Sequence, residues 1–150
     1  MLSISHGVTG AFIATQLPHP LLYFPLILAS HYLEDWIPHW DVGTGLSTGK
    51  RKKMTAILLE LIDLAATVFL VWWIWRGSPE LLPLAGLGAF IGLLPDFMEA
   101  PRNFLKWEPF FLKPLNNFHH LFHHSIPNMV LGLTPQAVVV LSIIALRFQG

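Results

Sequence analysis

The stretch Met54–Trp75, MTAILLELIDLAATVFLVWWIW, decides the fold. Its 22 residues are too many for a buried strand. As an α-helix rising 1.5 Å per residue they reach about 33 Å, close to the thickness of a bilayer's hydrocarbon core. The basic run Lys50-Arg51-Lys52-Lys53 precedes the stretch, and Trp72, Trp73 and Trp75 close it. A cytoplasmic anchor and an interfacial aromatic belt flank a membrane span in this way.

The rest of the chain reads alike. Of its 150 residues 53% are hydrophobic and 12% charged, against about 25% charged in soluble domains. Nine basic residues balance nine acidic ones, so no excess of positive charge points to nucleic acid as a partner. The absence of cysteine excludes disulfides, thiolate metal sites and a cysteine nucleophile.

Proline and glycine clusters cut the sequence into further blocks: Leu2–Leu17, Leu21–Ile37, Leu81–Leu94 or a little beyond, and Ile126–Leu146. The first holds Gly7, Thr9, Gly10 and Thr15 and suits tight helix packing. It has neither a basic leader nor a small-residue cleavage site, and so reads as part of the mature fold. Between Pro101 and Phe118, aromatic residues alternate with Arg102, Lys106 and Lys113, as in a segment lying along the interface. The expected architecture is a single all-α, multi-pass bundle of about five transmembrane helices in the cell membrane, with an interfacial segment before the last.

Short basic loops stay in the cytoplasm. Anchoring Lys50–Lys53 inside puts the N-terminus inside, and with it seven of the nine basic residues; Arg76 and Arg147 fall outside. The same topology, fixed without reference to histidine, gathers His6, His31, Asp35, His39, Asp63, Asp96 and the run from His119 to His124 at the cytoplasmic ends. Ionisable groups in spans cost several kcal/mol unless they pair, face a wet cavity or bind a metal. A shared site accounts for the layer.

His31 and Asp35 are four apart, so on a helix they can grip one ion from one face, and His39 extends the row if Pro38 permits. Glu34 points about 100° away and suits helix pairing. Glu60 and Asp63 share a face at a depth of roughly 10 to 16 Å; a hydrogen bond into the first helix competes there with ligation. Asp96 closes the fourth block at Leu94-Pro95-Asp96. The doublets His119-His120 and His123-His124 make two i, i+4 pairs, and whichever turns inward presents two imidazoles. His6 joins the candidates by its placement. The expected metal ligands are therefore His6, His31, Asp35, Asp63, Asp96, His119, His120 and His123.

His6-Gly7, His31-x-x-x-Asp35, Leu94-Pro95-Asp96 and a histidine cluster directly before the last span, in that order, resemble the membrane-bound metal-dependent hydrolases, themselves distantly similar to zinc-dependent phospholipase C. The resemblance implies metal-ligand roles for His31, Asp35, Asp96 and one or more of His119 to His124. Nitrogen and oxygen ligands without sulfur suit zinc, with manganese or iron as alternatives. The expected activity is hydrolysis of a phosphoester or other ester of an amphiphilic, lipid-like substrate among membrane lipids. Asp35, Asp96 and Arg102 are the candidate catalytic residues, with Arg102 and Lys106 positioned for a phosphate or headgroup. Two other classes compete. One is a small transporter or helix-packing scaffold, and the other a di-iron oxidase using His120-x-x-His123-His124 as a histidine box.

Overall fold

Prolines or polar caps mark the start of four of the six α-helices. In the computed structural model, which describes residues 1–149, the six are α1 (Ser3–Gln16), α2 (Pro20–Trp36), α3 (Lys53–Trp75), α4 (Leu82–Ala100), α5 (Lys113–Phe122) and α6 (Met129–Phe148). Pro20 occupies the first turn of α2, where a missing N–H costs nothing, and the His19 ring accepts from Leu21 N. Asn128 caps α6 by accepting from Leu131 N at 3.1 Å. Among the described residues no strand forms; one isolated bridge joins His39 to Ser125.

The third block is a helix as expected, and the fourth runs further. Leu94-Pro95 does not end α4, which continues through Pro95 to Ala100 and then as a π-helical turn over Pro101–Leu105. Neighbouring helices commonly support such interior prolines in apolar surroundings. The segment expected along the interface is thus divided into that turn, an irregular stretch and α5. On α5, Leu115, Phe118 and Leu121 are exposed while Asn116 and His119 are buried. The last helix starts at Met129 rather than Ile126, because Ile126 N donates to His39 O.

Three helical stretches are long and apolar enough to cross a membrane: Lys53–Trp75, Leu82–Leu105 and Met129–Phe148, with mean hydropathies of 2.1, 1.3 and 2.2. α1 and α2, at 14 and 17 residues, are shorter than the roughly 20 a perpendicular span requires. Large apolar side chains such as Ile62, Val68 and Phe69 on α3 and Val138 and Leu141 on α6 face outward. The buried centre combines apolar side chains, Trp75, Ile27 and Ile74 among them, with small and polar groups.

α1 runs through that centre and packs against α2, α3, α4 and α6. Close approach depends on glycine. A Cβ on Gly10 would lie 2.2 Å from Gly88 O, and one on Gly92 2.4 Å from His6 O, so α1 and α4 meet backbone to backbone. Val8, Ala11, Val71, Ile74, Trp75, Ala85 and Ile143 fill the apolar half of the bundle. At the other half the polar residues collect. Arg51 binds Val42 O at 2.6 Å and lies 4.7 Å from the centre of the Trp40 ring, which puts the basic loop at this polar end.

Candidate metal centre

Asp35, in the last turn of α2, is fully buried and is the hub. One helical turn earlier, His31 brings its Nε2 to 3.5 Å from Asp35 Oδ2. Its Nδ1 donates to Gly92 O at 2.7 Å. A carbonyl can only accept, so Nδ1 holds the proton and Nε2 of the neutral ring offers a lone pair.

α5 supplies His119 from the opposite side. Its Nε2 is 2.8 Å from Asp35 Oδ2 and 3.2 Å from His31 Nε2, and its Nδ1 is 3.1 Å from Glu99 Oε2. Burial alone would lower its pKa; the Asp35 and Glu99 carboxylates overcome that and hold it up at about 10. From α4, Asp96 Oδ1 lies 3.8 Å from His31 Nε2 and 3.7 Å from His119 Nε2, with 27% of its side chain exposed. Donor atoms of His31, Asp35, Asp96 and His119 all fall within 4.8 Å of one another.

His39 reaches the hub by a different route from the helical row expected of it. α2 ends at Trp36, and the chain beyond Pro38 runs extended beside the segment after α5. His39 N donates to His124 O, Ile126 N to His39 O and His124 N to Asp35 O, at 3.1, 2.7 and 3.0 Å. This pairing brings His39 Nε2 to 3.3 Å from His123 Nε2 and 3.7 Å from Asp35 Oδ1. His39 Nδ1 donates to Ile37 O at 2.9 Å, so in the neutral ring Nε2 is the nitrogen with the lone pair. His123 is driven down to about 4 by burial, so its ring is neutral near pH 7.

His6 stacks on His31 with ring centres 3.9 Å apart and places Nε2 3.2 Å from Asp35 Oδ1. The Met1 nitrogen also contacts Asp35 Oδ1. Glu34 Oε2 lies 2.9 Å from His6 Nδ1, and Glu34 Oε1 accepts from Thr9, the helix-pairing role expected of it.

The fold thus brings together His6, His31, Asp35, Asp96, His119 and His123. Asp63 is placed elsewhere: its carboxylate accepts from Ser3 N at 2.6 Å and Ile4 N at 3.3 Å, occupying amides that the first turn of α1 leaves unpaired. His120 is exposed, because the turn that buries His119 carries it to the outer face. Arg102 stands one step away, its NH1 4.0 Å from Glu99 Oε1 and 3.6 Å from Glu108 Oε1.

Two residues that sequence reasoning did not assign take part. Glu99 holds His119 Nδ1, and Asp41 Oδ2 lies 3.4 Å from both His39 and His123 Nε2. Asp41 had a signal: residues two apart in extended chain share a side, so His39 and Asp41 belong together once the helix ends. No protein-family model, curated protein or solved structure matches the chain.

Proposed function

We propose that the cluster is the divalent-metal centre of a membrane-embedded hydrolase that acts on a phosphoester or other ester of a lipid-like substrate at the cytoplasmic interface. One observation carries this reading: three helices deliver His31, Asp35, Asp96 and His119 to a common point. Donors bound to a tetrahedral ion at 2.0–2.1 Å stand about 3.3–3.4 Å apart. The five distances from the His31 and His119 nitrogens to one another and to the two carboxylates, 2.8 to 3.8 Å, straddle that value, and all four donors lie within 4.8 Å of one another. An all-nitrogen and oxygen set favours zinc, with manganese or iron as the alternatives. When bound, such an ion lowers the pKa of its water and polarises the scissile phosphoryl or acyl oxygen.

The residues divide the remaining work. Gly92 O orients the His31 ring through Nδ1, and Glu99 faces His119 Nδ1 at ion-pair distance. Four protein donors would fill a tetrahedral shell, so hydrolysis would need one position to open. Asp96, the partly exposed donor, would be the one to yield it to water and then to accept that water's proton. Arg102, beside Glu99, suits an anionic headgroup, as does exposed Lys106 four residues on. The order of the His6, His31, Asp35, Asp96 and late-histidine motifs supports the hydrolase reading. The Arg51 contacts support a cytoplasmic face for the site, and with it a multi-pass arrangement in which α1 and α2 complete five spans and the N-terminus is cytoplasmic.

A structural role is favoured by one observation: His119 lies within ion-pair distance of both Asp35 and Glu99, so a protonated ring is charge-balanced without a metal. The histidine-box reading loses two of its three rings, since His120 and His124 are exposed.

Elemental analysis of detergent-purified protein beside folded His31→Ala and Asp35→Ala variants decides between these readings. Stoichiometric metal in the parent and its loss from both variants is expected, together with metal-dependent release of product from phospholipid vesicles. Near-zero metal in all three overturns the proposal.

A further inference from the structure

We infer that the mouth of the cluster is a second divalent-cation site, formed by His39, Asp41 and His123 and joined to the first through Asp35, whose two carboxylate oxygens serve one ion each. The inference rests on the metal-centre reading above and deepens it.

The geometry is close to an equilateral triangle. His39 Nε2 to His123 Nε2 is 3.3 Å, and each is 3.4 Å from Asp41 Oδ2. These are the edges of a tetrahedron about an ion bound at 2.0–2.1 Å, which are about 3.3–3.4 Å long. Asp35 caps the triangle with Oδ1, 3.7 Å from His39 Nε2, an oxygen that the Met1 nitrogen contacts and that an ion there would take over, while its Oδ2 faces His31 and His119. A carboxylate shared in this way suits paired ions about 3.5–4 Å apart.

The second observation is independent of that spacing. Asp41 Oδ2 is buried and has no hydrogen-bond partner, with 9% of the side chain exposed. In the neutral His39 ring Nε2, facing it, carries no proton, because Nδ1 donates to Ile37 O. Two acceptors aimed at each other at 3.4 Å repel unless something positive lies between them. His123 can offer a single Nε2–H, enough for one of the two. A cation satisfies all three atoms.

The two positions differ in access. His123 is 27% exposed, whereas His31 is fully buried, so the second ion borders water and the first lies behind it. Two ions flanking one bridging carboxylate clamp both the attacking and the leaving oxygen of an in-line displacement, which favours a phosphoester over a carboxylic ester.

The test is zinc stoichiometry by elemental analysis of the full chain in detergent, dialysed against trace zinc, with helicity checked by circular dichroism. Two ions per chain are expected in the parent and one in Asp41→Asn and in His123→Gln. A His120→Ala, His124→Ala double variant, which removes the exposed imidazoles, keeps two. Manganese-loaded parent gives the electron paramagnetic resonance signal of an exchange-coupled pair, and Asp41→Asn gives that of an isolated ion. This signal decides the matter should His123→Gln misfold. One ion in the parent, unchanged in Asp41→Asn, overturns the second site and leaves the first standing. No ion at all overturns both, and loss of a parental ion only with His120 and His124 reassigns it to the surface.

Discussion

His31 gives its Nδ1 proton to the carbonyl of Gly92, 2.7 Å away on a neighbouring helix. The same glycine lets α1 close in, since a Cβ there would stand 2.4 Å from His6 O. One position thus orients a candidate ligand and seats the helix that carries another. Gly92→Ala is expected to force α1 from α4 at a cost of about 1–3 kcal/mol, typical of overpacking. It should lower both the melting temperature and the metal content. Gly86→Ala is the control, because nothing lies within 4 Å of its added methyl. Helix propensity alone should then raise stability slightly. Equal melting temperatures for the two variants would remove the argument for backbone contact.

Asp63 and Asp35 are both buried carboxylates, and their substitution should separate two roles. Asp63→Ala strands the amides of Ser3 and Ile4 and should cost about 1–3 kcal/mol without changing bound metal. Asp35→Ala should abolish metal binding. If Asp63→Ala also loses the metal while remaining helical, the capping role is too narrow.

The histidine run tests the same distinction within six residues. His119→Ala and His123→Ala should each release metal, whereas His120→Ala and His124→Ala should leave it in place. That two imidazoles turn inward was legible from the i, i+4 spacing. Which two was not, because Phe118 and Leu121 are apolar yet lie on the outer face. Where the outer face of a helix is itself apolar, hydrophobicity no longer marks the inside, and the signal that sorts soluble helices fails. The same limit hid Asp63: a helix face can be read from spacing, but the partner it meets at a given depth depends on neighbouring helices. His31 with Asp35 lay within one helix and was legible. His39 with Asp41 depended on where α2 stopped, at Trp36, and on a bridge to a segment far along the chain.

Arg102 offers a check on substrate charge. Its guanidinium lies between Glu99 and Glu108 at the rim and is 34% exposed. If it holds an anionic headgroup, Arg102→Ala should raise KM for an anionic lipid substrate roughly 10- to 100-fold. A charge-assisted hydrogen bond of about 1.5–3 kcal/mol has that effect. Added salt should narrow the gap between variant and parent. A fall in kcat with KM unchanged would instead place Arg102 at the reacting atoms.

Metal removal should reshape the dependence of stability on pH. In the chelated protein His119 is held up at about 10 from an ordinary value of 6.5, so its contribution is complete below about pH 6.5 and is lost as pH rises towards 10. His123, pushed down to about 4, works the other way. Between about 4 and 6.5 the unfolded chain binds its proton and the folded one does not, so stability rises with pH across that window. The contributions of these two histidines are therefore greatest together near pH 6.5. With zinc present, protons and metal compete for His119 Nε2, so higher pH favours the metal and the falling limb above 6.5 should flatten or reverse. Melting curves from pH 4 to 10, with and without chelator, check both limbs. Identical profiles would mean that no metal displaces the His119 proton and would favour the purely structural reading of the cluster.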